Sequence, residues 1–431
     1  MVTMAGGQES RFATGSNWRG CIGFGMIINS ELFKCLKEKH GTSYQAFLRE
    51  KLIAVAGNIC EPNLGMDFDS VHAIMEEVDV IIQSAENTDF AERYDLMIDA
   101  NVNGPQRLMR FAKMCKNLNL FVHVSTAFVN GEREGLFLEN PMTMGENRRK
   151  DSSTFPWLDI GNEMNLSHKS TKASISLDTT KDLKRLGQER VKFYGWDNTY
   201  QLTKAMGEMV INEIRGDIPL LIIRPSVIES SYKEPFPGWI QGNRVTDPLI
   251  ISYGKGQLPP FLGDPEVNLD IFCYEDFDST PLIESSKSIT KMKFFDNLDH
   301  LSKYTWNEIC LRDGLKDGIS KDETMVQKLT RKCKVKAVYA EQLCNTYEFG
   351  GFYKARFHIG NTQKLLEKMS EEELYNFEID AKNIDWRKYF VEVHIPGLRK
   401  HVLNETRMHS EAKHVQLKET RMRTEANLVY N

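Results

Sequence analysis

NVNGPQRLMRFAKMCKNLNLFVHVST, residues 101–126, is the stretch whose reading decides the fold. Leu108, Phe111 and Ala112 fall at helical spacing and mark one face of an amphipathic helix. Residues 120–124 then run Leu-Phe-Val-His-Val, too apolar for a strand with one face in water. Strands buried on both faces belong to parallel sheets covered by helices. Outward from here the unit repeats. On the carboxyl side, 199–213 reads as a helix and 219–224 (PLLIIR) as a strand. On the amino side, 71–77 reads as a helix, 78–82 (VDVII) as a strand and 52–57 (LIAVAG) as a further short strand. Leu32, Phe33 and Leu36 mark one more helix, ending near His40 and Gly41. Crossovers between parallel strands are right-handed, so this alternation predicts a doubly wound α/β sheet. Residues 141–190 are polar and mostly helical, an insertion over the sheet's carboxyl edge. Beyond about Asp276 the strands stop, and helices are expected over 298–311, 326–344 and 361–369.

The chain has 431 residues and a formal net charge of −5, with 41% hydrophobic and 27% charged residues. That composition excludes a disordered chain, a collagen and a disulfide scaffold. The mild acidity gives no reason to expect nucleic acid as a partner. None of the eight cysteines forms a C-x-x-C pair or sits at zinc-ligand spacing with a nearby histidine. They read as thiols in a reducing, intracellular compartment, and no metal is expected. The amino terminus lacks the apolar core of a secretory signal, and no apolar run approaches ~18 residues. Peripheral membrane contact and oligomeric state stay open, as does the choice between endoplasmic reticulum and plastid. Near the end, KHVLNETRMHSEA (400–412) is followed by KHVQLKETRMRTEA (413–426), a tandem repeat that reads as a solvated basic tail.

Three signals carry chemistry. Tyr200 and Lys204 sit at i and i+4, one face of a helix. An ammonium beside a phenol favours the phenolate and prepares Tyr200 to pass a proton to a carbonyl oxygen. Ser125 and Thr126 end the 120–124 strand at the edge where open α/β sheets bind ligands; the plainer reading is a hydroxyl capping the next turn. Asn101 opens the preceding helix, and the plainer reading there is an N-cap. Each plain reading is credible alone, but the three in this strand order are harder to set aside.

Asn, then Ser/Thr, then Tyr-x-x-x-Lys resembles the catalytic set of the extended short-chain dehydrogenase/reductases. Further motifs narrow the resemblance to the alcohol-forming fatty acyl-CoA reductases of the plant, male-sterility type. They are ERYD (92–95), HVSTA (123–127), YGW (194–196), NTY (198–200), IRPS (223–226), EPFPGWI (234–240), YGKG (253–256) and HIPGL (394–398). The resemblance implies two-step reduction of a long-chain acyl-CoA to a primary alcohol with NADPH. By family role, Tyr200 protonates the oxyanion. Lys204 lowers its pKa and bonds the nicotinamide ribose. Thr126, with Ser125 beside it, holds the carbonyl oxygen, and Asn101 orders a relay water. Asn58, Ser84, Ala85, Lys204, Arg224 and Pro225 are the expected cofactor-binding residues. The implied organisation is a poorly ordered segment at 1–25, a Rossmann-like reductase domain at 26–276, a helical C-terminal domain at 277–403 and a polar tail at 404–431.

The sequence also departs from that family. No strand and G-x-x-G-x-x-G loop open the chain, so the reductase domain is expected to lack its first strands. Asn58 stands where the family carries an acidic residue, Phe128 replaces a tyrosine, and QSAEN (83–87) brings the charge of Glu86 near the cofactor. A catalytically impaired, truncated relative that does not bind NADPH is therefore the competing reading.

Overall fold

The computed structural model describes residues 2–6, 27–90, 92–131, 134–148, 157–173, 178–243, 245–258, 260–264, 267, 293–315, 323–377 and 384–404. The expected polar tail with its repeat lies almost wholly outside the described residues. Two units divide the chain.

The first unit takes residues 1–226 and 354–370. Its sheet has four parallel strands in the order β1 (Val2–Gly6), β2 (Val80–Ala85), β3 (Leu120–Val124) and β5 (Leu220–Ile223). Ile81 pairs with Phe121 and Phe121 with Leu220, so one apolar row crosses three strands. This is the parallel α/β sheet that the apolar runs predict. The helices are α1 (Lys34–His40), α2 (Tyr44–Lys51), α3 (Phe68–Glu77), α4 (Tyr94–Ile98), α5 (Gly104–Ala112), α6 (Ile160–Ala173), α7 (Asp178–Tyr194) and α8 (Thr199–Ile214). Leu108, Met109 and Phe111 of α5 pack with Ile81 and Phe121 of the sheet and Ile211 of α8. Leu202, Ala205 and Met209 of α8 face a second core with Tyr94, Val191 and Trp196. A short pair, β4 (Gly135–Phe137) with β8 (Ala355–Phe357), draws residues 354–370 into this unit.

Two expectations are corrected here. The segment 1–25, read as poorly ordered, supplies β1, which runs parallel to β2 from Val2↔Ile81 to Gly6↔Ala85. The sheet position expected to stand empty next to β2 is therefore filled. An unpaired strand edge presents a row of N–H and C=O groups that accepts even a short, glycine-containing partner. Conversely, 52–57 forms no strand; Ile53 is 88% exposed. Apolar residues alone do not make a strand without a ladder partner, and this run leads instead into a turn closed by Asn58 N–H donating to Leu64 O (2.7 Å).

The second unit takes residues 227–353 and 371–431. It contains α9 (Asp247–Gly254), α10 (Leu298–Arg312), α11 (Glu323–Thr346) and the short pair β6 (Pro260–Leu262) with β7 (Lys293–Phe295). Its boundary differs from the expected break at 276. Ile240, Ile250 and Ile251 share one buried cluster with Tyr389, Phe390, Ile395 and Leu398. The stretch 227–254 thus packs with the closing segment of the chain. No helix among the described residues is long and apolar enough to cross a membrane.

Candidate active site at the carboxyl edge of the sheet

α8 starts at Asn198, whose side chain accepts from Gln201 N–H (2.9 Å). That cap puts Tyr200 in the first turn and Lys204 one turn on. The helix sits directly on the turn Asp99–Asn103, a π-helical step inside one continuous helical run from Tyr94 to Ala112. Gly207 makes the approach feasible: a Cβ there would lie 2.3 Å from the Asn101 carbonyl oxygen. Such π steps recur at functional sites. Asn101 is therefore not an N-cap but an interior residue, 1% exposed. Its side chain accepts from Asn87 N–H (2.8 Å) and donates to Asn87 O (3.0 Å) and to Thr203 Oγ1 (3.1 Å). Asn101 so ties the loop after β2 to α8.

β3 ends where the sequence places it. Ser125 N–H donates to Ile223 O (2.7 Å) and Ala127 N–H to Pro225 O (2.8 Å). Thr126 Oγ1 accepts from Phe128 N–H (3.3 Å), the plainer capping role, and its side chain has a small lowering effect on the Tyr200 phenol. Ser125 Oγ is buried with no hydrogen-bond partner among the described residues.

The electrostatics reverse one expectation. Lys204, 1% exposed, donates to Val124 O (2.7 Å) and pairs with Glu86 Oε2 at 2.6 Å. Tyr200 Oη donates to the other Glu86 oxygen at 3.5 Å. Burial first, then the Glu86 charge, push the Tyr200 phenol well above its ordinary range, against a smaller lowering by Thr126. The ammonium does not acidify the phenol, because a carboxylate stands between them in effect and neutralises it. His123, fully buried on β3, is held neutral by burial and then by the charges of Lys204 and Arg224.

The structure thus brings together Tyr200, Thr126, Lys204 and Glu86, with Ser125 next in chain and Asn101 behind. Ser84 and Ala85 close β2 at the same edge, Ala85 buried. Two expected cofactor residues are engaged elsewhere. Asn58 closes its own loop, donating to Glu61 Oε1 (3.0 Å) and accepting from Cys60 N–H (3.0 Å). Arg224 clamps the buried Glu208 with two bonds (3.0 and 2.6 Å) and donates to Asn140 O (3.0 Å), while Pro225 contributes only its carbonyl. The capture of Lys204 by Glu86 went unread, although an acidic residue in QSAEN was the signal for it.

The residues fit a nicotinamide ribose at this edge on one observation: a buried, partnerless Ser125 hydroxyl beside Thr126, Tyr200 and a lysine. The phosphate end would call on residues 7–26, which lie outside the described ones.

In the second unit, reasoning from sequence missed another buried cluster. His394 Nε2 lies 3.2 Å from Asp247 Oδ1 and 3.6 Å from Glu229 Oε2. Burial, with the neighbouring Asp247 charge opposing a Thr246 hydrogen bond, pushes the Glu229 carboxyl up to about 9.

A family profile described as Male sterility protein, an NAD-binding domain, matches residues 27–276; a second with the same description matches 324–405. With the parallel sheet and the residues at its edge, this defines the class: an NAD(P)-binding reductase of Rossmann type. Fatty acyl-CoA reductase 2, chloroplastic, of Arabidopsis thaliana is 42% identical over 88% of this chain and 70% of its own length. The alcohol-forming fatty acyl-CoA reductase of Simmondsia chinensis is 31% identical over 88% and 87%. The chain belongs to the fatty acyl-CoA reductase family. Among solved structures, the terminal R domain from the myxalamid PKS-NRPS pathway aligns over 82% of this chain and 76% of its own, at 15% identity and a TM-score of 0.44.

Proposed function

We propose that this chain reduces a long-chain acyl-CoA to the primary alcohol in two hydride steps, with NADPH as the donor. The observation that carries the reading is the Tyr200 hydroxyl one helical turn from Lys204, a buried lysine whose ammonium donates to Val124 O at the carboxyl end of β3. The names of the relatives support the substrate, and the Simmondsia name supports the alcohol as end product. The chloroplastic relative favours a plastid as the place of work.

When bound, the nicotinamide supplies the hydride; the protein supplies position and protons. Tyr200 Oη gives its proton to the carbonyl oxygen of the thioester. The resulting hemithioacetal then breaks its C–S bond, and its hydroxyl proton leaves with the sulfur as CoA thiol. Tyr200, reprotonated from solvent, gives a second proton to the oxygen of the aldehyde. Thr126 stands beside Ser125 at the end of β3, and the partnerless Ser125 Oγ is the donor left to steady the carbonyl oxygen. Lys204 would bond the nicotinamide ribose with the third ammonium proton, its others being on Val124 O and Glu86. Asn101 keeps the Asn87 loop in place rather than touching substrate.

A second reading, an impaired relative, rests on Glu86: its carboxylate engages both Lys204 and Tyr200. Expression in yeast with gas chromatography of the alcohols, beside NADPH and NADH oxidation by purified protein, separates them. Alcohol from the natural chain, with NADPH preferred, supports the first. Alcohol only from Glu86→Gln supports the second. Alcohol from neither, in folded protein that binds no dinucleotide, refutes the reductase assignment.

A further inference from the structure

We infer that Glu229, Asp247 and His394 form a structural Zn²⁺ site inside the second unit. All three side chains are buried, and their ligand atoms lie within 4.8 Å of one another. Zinc bound tetrahedrally at about 2.0–2.1 Å holds neighbouring ligand atoms about 3.3–3.4 Å apart. The separations from His394 Nε2, 3.2 Å to Asp247 and 3.6 Å to Glu229, bracket that edge length. His394 Nε2 is fully buried and makes no hydrogen bond among the described residues. It faces the two carboxylates, so one nitrogen and two carboxylate oxygens converge within 4.8 Å of one another.

The surroundings of the three side chains fit ligation. His394 Nδ1 lies 3.1 Å from Ser230 Oγ and 3.4 Å from the Ser230 backbone N, and ligation through Nε2 calls for the tautomer in which Nδ1 donates to that hydroxyl. Tyr389 donates to Ser230 O (2.6 Å) and stacks on the imidazole at 5.9 Å between ring centres, fixing the ring plane. The Thr246 hydroxyl donates to the outer oxygen of Glu229. Hydrogen bonds of this kind orient metal ligands and tune them. Two carboxylates and one divalent ion sum to zero charge, and a water or the second oxygen of a carboxylate would complete the tetrahedron. The imidazole nitrogen favours zinc over magnesium or calcium, which prefer an all-oxygen shell. The ligands come from the loop after β5, the first residue of α9 and the turn Tyr389–His394. No local spacing joins them, so the expectation of no metal, drawn from cysteine and histidine spacing, had no sight of them. A bound ion would fasten 229–247 to the closing segment of the chain.

The test uses the full chain, dialysed against EDTA and titrated with Zn²⁺ by calorimetry. The isosteric variants Glu229→Gln and Asp247→Asn serve as references. The natural chain should bind one equivalent more than either variant, and only the natural chain should melt at higher temperature in Zn²⁺. Ser230→Ala should weaken that equivalent about 10–100-fold. Co²⁺ should give the absorption of a tetrahedral nitrogen–oxygen site without thiolate charge transfer, a readout that stands even if a variant fails to fold. Equal Zn²⁺ binding by all chains, or an unshifted melt with no tetrahedral Co²⁺ spectrum, overturns the site. So does a Glu229→Gln chain more stable in Zn²⁺ than the natural one, which would mean the cluster shares a proton instead of a cation.

Discussion

A phenol one turn from an ammonium becomes a stronger acid only if the ammonium's field reaches it unopposed. At Tyr200 the field is opposed. Glu86 lies 2.6 Å from Lys204 Nζ and 3.5 Å from Tyr200 Oη, and the phenol is pushed up, not down. The protonated phenol persists at neutral pH but releases its proton reluctantly. Glu86→Gln removes the charge and keeps an acceptor for Lys204. A proton donor made one pKa unit stronger shifts the balance by ~1.4 kcal/mol, about tenfold in equilibrium. The variant should turn over acyl-CoA up to about tenfold faster than the natural chain at pH 7, and the alkaline fall of its pH–rate profile should move to lower pH. A rate unchanged across the profile would show that Glu86 does not govern Tyr200. His123 offers a second test at this scale. Its ring is fully buried, both nitrogens lack partners among the described residues, and burial holds it neutral. Its folded pKa is depressed, so its contribution is whole above the unfolded value of ~6.5 and shrinks as pH falls below it. Stability should therefore drop between pH 6.5 and 5, by up to about 1.4 kcal/mol per pH unit from this group alone. His123→Phe should flatten that slope in thermal melts, and should not destabilise at pH 7, because no hydrogen bond is lost.

At the scale of elements, the site depends on two backbones in contact. Gly207 of α8 rests on the Asn101 carbonyl, where a Cβ would come within 2.3 Å. Gly207→Ala gains about 0.5–1 kcal/mol in helix propensity, yet overpacking costs about 1–3 kcal/mol. The net should be a lower melting temperature. Turnover should fall as well, since the displaced turn carries the bonds from Asn101 to Asn87 and Thr203. How legible these elements were follows from what makes each one. β3 could be read because its five residues are nearly all apolar and stand between a helix and a turn. β1 could not: in a glycine-containing run, only the open edge of β2 makes Val2–Gly6 a strand. The run 52–57 misled for the opposite reason, being apolar but unpaired. Tyr200, Lys204, Ser125, Thr126 and Asn101 were legible as residue types at strand and helix ends. Their partners were not. Glu86 with Lys204, and Glu208 with Arg224, meet through tertiary packing that no local period records.

At the scale of the whole molecule, the chain returns on itself, and the unit boundaries follow packing instead of sequence order. Gly397 lies so close to Gly238 that a Cβ there would be 2.1 Å from the Gly238 carbonyl oxygen. EPFPGWI and HIPGL, far apart in sequence, are therefore two sides of one contact inside the second unit. Tyr389, Phe390, Ile395 and Leu398 bury the apolar side chains of Ile240, Ile250 and Ile251. Fully burying one large apolar side chain contributes about 1.5–3 kcal/mol, so removing four removes on the order of 6–12 kcal/mol. That matches the whole stability of an ordinary domain, about 5–15 kcal/mol. A chain ending at residue 383 should accordingly leave 227–353 unfolded, with rapid amide exchange in α9, while β3, α5 and α8 keep slow exchange. Among the described residues the first unit draws its buried clusters from before 227, and the stretch 354–370 that it also holds lies ahead of the cut, so its protection should survive. Exchange measured by mass spectrometry reads both units in one sample. Retained protection in α9 would show that 227–254 folds without the closing segment, and loss throughout would show that neither unit stands alone.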